Sequence, residues 1–266
     1  MTADELIALA NDPRFIRDIQ EYCDDWCKRC AFTERCFRFA QKRLLAAESG
    51  FEPTDSEDDE KTVTRAMQTA FELAAEMSER GAVEDDIALA SPEGQAAAAA
   101  WDDDQEKRYD TARAHPLTQA AEEYAFAAYA WFEQNGAELE MRIQRAQQSE
   151  ELHADHLSAE STQDAIEIIR WDQFRPVFTL VAIFDGEDRD GRLADTRNGK
   201  VKSILLGLDR SLLAWGRVQM FWPAQAHEIM HLAGLLAELR LWLERAFPAA
   251  RDFVRPGFDD ASTLLP

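Results

Sequence analysis

Four cysteines, the chain's full complement, fall within one short stretch: Tyr22-Cys23-Asp24-Asp25-Trp26-Cys27-Lys28-Arg29-Cys30-Ala31-Phe32-Thr33-Glu34-Arg35-Cys36. Such density ties the fold of the N-terminal region to the chemistry of thiols. The opening residues, Met1-Thr2-Ala3-Asp4-Glu5-Leu6, have neither the basic start nor the apolar core of a signal peptide. No apolar run approaches the roughly 20 residues a membrane-spanning helix needs. A cytoplasmic location with no membrane partner is therefore expected, and thiols stay reduced there. Clustered reduced thiols point to a metal site rather than to disulfides.

The spacing is C-x3-C-x2-C-x5-C. If residues 14–30 form a helix, Cys23, Cys27 and Cys30 lie within about 60° of one another on one face. A turn then brings Cys36 back as the fourth ligand. A single Zn²⁺ needs its sulfurs about 2.3 Å from one point, whereas three thiolates on such a helix spread over about 10 Å. A cubane is wider and takes one thiolate at each iron. A [4Fe–4S] cluster on Cys23, Cys27, Cys30 and Cys36 is thus expected, with a structural Cys₄ zinc as the alternative. Phe15, Tyr22, Trp26, Phe32, Phe37 and Phe39 are candidates to shield it. Residues 14–43 hold eight basic and five acidic side chains, a local surplus of +3 in a chain of −22. Nearby cations stabilise an anionic thiolate cluster.

The trailing C-x2-C-x5-C of Cys27, Cys30 and Cys36 resembles the cluster spacing of endonuclease III-type DNA glycosylases and Cas4-like nucleases. The leading C-x3-C-x2-C is similar to that of radical SAM enzymes. Neither family carries over. The glycosylase pattern has its first Cys farther upstream, and the chain shows no helix–hairpin–helix element. Radical SAM enzymes use a (β/α) barrel and leave one iron free, whereas this chain offers few strands and a fourth thiol. The whole motif, with its CxFTxRC ending and the late FVRPGFD segment, resembles an uncharacterised bacterial family of helical proteins, which implies no particular activity.

Beyond the cysteines, 11 Gly and 9 Pro among 266 residues leave a composition rich in helix formers. An all-α protein is expected: an antiparallel four-helix bundle with a helical cysteine-rich segment packed on it. The boundaries read as 1–48 for the metal-binding segment, 49–115 for an acidic linker and short helices, 116–246 for the bundle and 247–266 for an extended tail. Within 13–48 two helices join near Ala31–Glu34, and a further helix is expected at 61–80. The bundle helices are expected at 116–148, 160–184, 198–221 and 223–246, with Pro116 and Pro223 in first turns. A net charge of −22 argues against nucleic acid as a partner.

The bundle holds further candidate ligands. His227-Glu228-Ile229-Met230-His231 matches HExxH and contains the ExxH of di-iron bundles. An apolar stripe through Leu232, Leu235, Leu239 and Trp242 places Glu228 near its centre and His231 at its edge. On the 160–184 helix a stripe of Arg170, Trp171, Phe174, Phe178 and Val181 takes in Glu167. Glu167, Glu228 and His231, with Glu138 in reach, form a candidate second metal site, because a buried carboxylate needs a cation. Arg170 is an alternative partner for Glu167. His153, His156 and Glu160 form a weaker set, expected in a loop. The sequence therefore points to an iron–sulfur protein for electron transfer or redox sensing, working with a redox partner protein. The alternatives are a zinc-stiffened scaffold and a bundle oxidoreductase with an added Glu/His iron site. It assigns neither a reaction nor an oligomeric state.

Overall fold

The computed structural model describes residues 8–49, 104–148, 153–186 and 193–260. Residues 50–103, with most of the segment expected as acidic linker and short helices and the helix expected at 61–80, lie outside them. Among the described residues all regular structure is helical, with no strand. The chain divides into two compact units, Met1–Asp104 with Val254–Pro266, and Gln105–Phe253.

In the first unit the cysteine region is not the helix expected from its spacing. Three short 3-10 turns, Ile19–Tyr22, Cys27–Arg29 and Thr33–Arg35, precede helix α1, Phe37–Ser49. Asp18 and Asp25 take left-handed backbone, with φ of 61° and 57°, through which a right-handed helix of L-residues does not run. Asp24 accepts a hydrogen bond from the Trp26 N–H at 3.2 Å, the local bond by which aspartate competes with helix. Cys23, Cys27 and Cys30 therefore do not share the one helical face that their spacing suggests.

The tail also departs from expectation. Residues 256–259 form a turn, and Gly257 is buried with φ 78°. A Cβ on Gly257 would meet Ile19 Cδ1 at 2.9 Å and Ile16 Cδ1 at 3.0 Å. The Phe258 ring meets Phe32 edge-on, 5.3 Å between centroids. Asp259 holds the turn by accepting from the Arg255 backbone at 3.0 Å and from its guanidinium at 2.9 Å. Of the segment that composition suggests as an extended tail, Gly257 and Phe258 are part of the small core beneath the cysteines.

In the second unit, residues 105–113 are helical and lead into α2, Pro116–Gln148. His115 caps α2, its Nδ1 accepting the Leu117 N–H at 3.2 Å. Next come α3, His153–Asp172, and α4, Arg175–Asp185. The expected 160–184 helix is thus broken. Pro176 stands in the first turn of α4, and a proline there disfavours continuous helix through the preceding residues. Buried partners fix the break. Asp172, 2% exposed, meets Arg175 at 3.5 Å and Arg210 at 3.2 Å, and Gln173 Nε2 donates to the Ala125 carbonyl at 2.8 Å. The chain continues with α5, Leu193–Phe221, a 3-10 turn at Pro223–Gln225 where helix was expected, and α6, Ala226–Ala246.

Helix α2 packs on α3 and α6, and α5 packs on the same two, so four helices close a ring. Helix α4 packs on α2 and α5. Tyr124, Trp131 and Phe132 of α2 meet Trp215 of α5 in the interior, where apolar burial supplies most of the stabilisation.

Candidate metal centre

The three turns do for the cysteines what one helical face was expected to do. Cys23, Cys30 and Cys36 each follow a 3-10 turn in extended backbone, and Cys27 opens the second turn. Cys36 directly precedes α1, and its carbonyl accepts the Ala40 N–H at 3.1 Å. All four are outside any disulfide and partly buried, and all four line one cavity of about 20 Å³. Its remaining walls include Ile19, Trp26, Phe39 and Phe258. Ile19 is 2% exposed and Trp26 7%, so water reaches the sulfurs poorly from that side.

Burial pushes the Cys23 thiol up to about 11. Its Sγ donates to the Gln20 carbonyl at 3.3 Å and lies 3.8 Å from Asp25 Oδ1. Burial also raises Cys27, opposed by the charge of Lys42. A reactive redox cysteine needs a depressed pKa and an electropositive setting; Cys23 has the reverse. Such thiols become good ligands when a metal displaces their protons. The Cys30 sulfur accepts the Phe32 N–H at 3.4 Å, a bond that stabilises negative sulfur. Arg38 pairs with Asp25 at 2.9 Å, and Arg29 covers the Trp26 ring at 4.4 Å.

Among the described residues, no three or more His, Cys, Asp or Glu side chains are drawn together as ligands of a single metal ion. The four sulfurs stand around a cavity rather than meet at a point. Their soft, all-sulfur donor set fits zinc or an iron–sulfur cluster and excludes calcium or magnesium, which take oxygen ligands. Among the described residues, Asp24 and Asp25 are the carboxylates on the cavity wall.

The Glu/His candidates lose their premise. Glu167, Glu228 and His231 are all exposed. The buried stripe of α6 is Ile229, Leu232, Leu236, Leu239 and Leu243, rotated from the one expected through Leu235 and Trp242. On α3 the inward residues are Thr162, Ala165, Ile166 and Ile169. The break before α4 frees the two segments to bury different faces, so Trp171 and Phe178 point outward, 40% and 70% exposed. Glu138 is held on the surface by Arg142 at 2.7 Å. Arg170 lies 3.8 Å from Glu140 and over the Phe132 ring at 5.0 Å. An exposed carboxylate is satisfied by water and needs no metal. The set expected in a loop, His153, His156 and Glu160, stands instead in the first turns of α3.

Sequence reasoning missed Ile16, Ile19, Gly257 and Phe258 as parts of the cysteine core. The FVRPGFD segment carried the signal: a Pro-Gly turn between aromatics is poor surface filler and a good docking element. An alanine at Gly257 must adopt the left-handed conformation, at about 1–2 kcal/mol, and crowd Ile16 and Ile19. Gly257→Ala is therefore expected to loosen the turn and to speed metal loss to a chelator several-fold. An unchanged release rate would detach this turn from the site.

The chain matches no protein-family model, no curated protein and no solved structure. Among the described residues no helix is long and apolar enough to cross a membrane.

Proposed function

We propose that Cys23, Cys27, Cys30 and Cys36 hold an iron–sulfur cluster, [4Fe–4S] in type, and that the protein transfers electrons or senses redox state in the cytoplasm. One observation carries this reading: four thiols from three successive turns line a single, largely apolar cavity. A cluster supplies one-electron chemistry. The protein's part is to set its potential and exclude water, through Ile19, Trp26, Phe39 and Phe258 on the wall, the Phe32 N–H on Cys30, and the charge of Lys42 near Cys27. The Gln105–Phe253 unit serves as the scaffold, an antiparallel four-helix bundle with α4 as an addition; the closed ring of α2, α3, α5 and α6 supports that topology. A redox partner protein would exchange the electron.

The size of the cavity favours a second reading. About 20 Å³ is little more than one water-sized sphere, so a cubane requires the cysteine side chains to swing outward, whereas zinc requires them to close inward. In that case the cysteine unit is a zinc-stiffened scaffold. Anaerobic purification decides between the two. The cluster protein is expected to be brown, with about four irons and four labile sulfides per chain, and to bleach on oxidation. A colourless protein with about one zinc per chain would establish the scaffold reading instead.

A further inference from the structure

Next to the cysteine cavity, within the same unit, lies a larger groove of about 320 Å³. That is the lower end of the range in which proteins bind small organic ligands. Its apolar lining comes from Leu9, Phe15, Phe39 and Leu44. Phe39, Ala40, Arg43 and Leu44 line it from α1 at spacings of one, three and four, which places them on one helical face. Phe39 and Thr33 also line the cysteine cavity, so one side-chain layer separates the two spaces.

The charged rim is uneven. Arg14 is engaged by Asp12 through several contacts, the shortest 2.6 Å. Among the described residues no carboxylate holds Arg43 that way. The carboxylate beside it among those residues, Glu34, is 3.8 Å away, and the two side chains are 61% and 84% exposed. That separation is too long for a hydrogen bond. A guanidinium beside an apolar groove matches one chemistry well: a carboxylate it can grip with two parallel N–H···O bonds, attached to an apolar body.

We propose that this groove binds a small amphipathic carboxylate, such as a medium-chain fatty acid, its apolar body along Phe15, Phe39 and Leu44 and its head on Arg43. Glu34 is the internal competitor for that arginine. The inference stands on the groove and goes beyond the metal reading. Its consequence for that reading is positional: a bound ligand rests against Phe39 and Thr33, the wall of the cysteine cavity.

Calorimetric titration of the full chain with octanoate and with octanol tests it. Octanoate is expected to bind saturably, one per chain, with Kd on the order of 0.1 mM for about ten heavy atoms. Octanol, lacking the charge, should bind about tenfold more weakly. Arg43→Gln should weaken octanoate by about tenfold and leave octanol unchanged. Glu34→Gln should tighten octanoate two- to threefold, about the size of one exposed charge pair. Both positions are solvent-exposed, and circular dichroism confirms that the variants fold. Equal affinity for octanoate and octanol, or octanoate binding indifferent to Arg43→Gln, would overturn the carboxylate assignment. No saturable heat with either probe would overturn the site. Metal content, measured on the same samples, is an independent readout, so failure here is separable from failure of the iron–sulfur reading.

Discussion

Alanine at any one of Cys23, Cys27, Cys30 or Cys36 is expected to bring bound metal from a full complement to a small fraction of one per chain. The reason lies in the cavity they share. With one wall turned to methyl, a cluster loses a terminal ligand and a zinc ion becomes three-coordinate, and apparent binding free energies of about 10–16 kcal/mol for structural zinc depend on the full set. The helical signal, carried mostly by α2 to α6, should stay near wild type, which separates ligand loss from global unfolding. A second arm uses the metal-free protein. Because burial pushes Cys23 up to about 11 from an ordinary 9.0, it carries about one-hundredth of the usual thiolate near neutral pH. Iodoacetamide should label it correspondingly slowly until the protein is unfolded. Rapid labelling of Cys23 in the folded metal-free protein, or metal content indifferent to all four substitutions, would rule out the site.

The same thiol fixes a sign for pH. Its pKa is higher folded than unfolded, so it contributes stability to the metal-free form below about 9, and that stability is lost as pH rises through about 11. The metal-bound form runs the other way at acid pH, since protons compete with metal for the same sulfurs.

Which parts of this molecule are legible in the sequence follows from how local their causes are. The long helix α2 is legible because Pro116 sets its first turn and good helix formers follow. That the four cysteines line one cavity is legible because they crowd into one short stretch of the chain. The conformation holding them is not, because two aspartates in left-handed backbone, Asp18 and Asp25, override a pattern that a helix would also satisfy. The same holds at the α3–α4 break. Gln173 donates to Ala125, 48 residues away in sequence, and nothing near position 173 announces that partner. Glu228 illustrates a phase error. Leucines at 232, 235, 236, 239 and 243 admit two stripes, and only packing against α2 and α5 selects the one that leaves Glu228 in water. Phe258 needs a contact spanning more than two hundred residues, which one sequence does not reveal.

The other large effect belongs to the interior of the second unit. Trp215 is fully buried on α5, edge-on to Trp131 at 5.2 Å and stacked near Phe132 at 5.5 Å. Its indole N–H donates to the Tyr124 hydroxyl at 3.0 Å, and burial holds that hydroxyl protonated far above its ordinary range. Helices α2 and α5 meet here through large rings, so Trp215→Ala leaves a hole that smaller neighbours cannot close. The expected loss is about 3–5 kcal/mol, a large part of the roughly 5–15 kcal/mol that holds a domain together. Urea denaturation followed by helical circular dichroism should show the midpoint falling steeply. Tyr124→Phe strands the Trp215 N–H at about 1–3 kcal/mol, and Trp215→Phe strands the Tyr124 hydroxyl at a similar cost. Combining the two removes both polar atoms at once, leaving neither orphaned. The double variant should therefore be more stable than the sum of the single losses predicts, by about 0.5–3 kcal/mol. Strict additivity would mean that the hydrogen bond does not couple the rings, and that packing alone sets how α5 sits against α2.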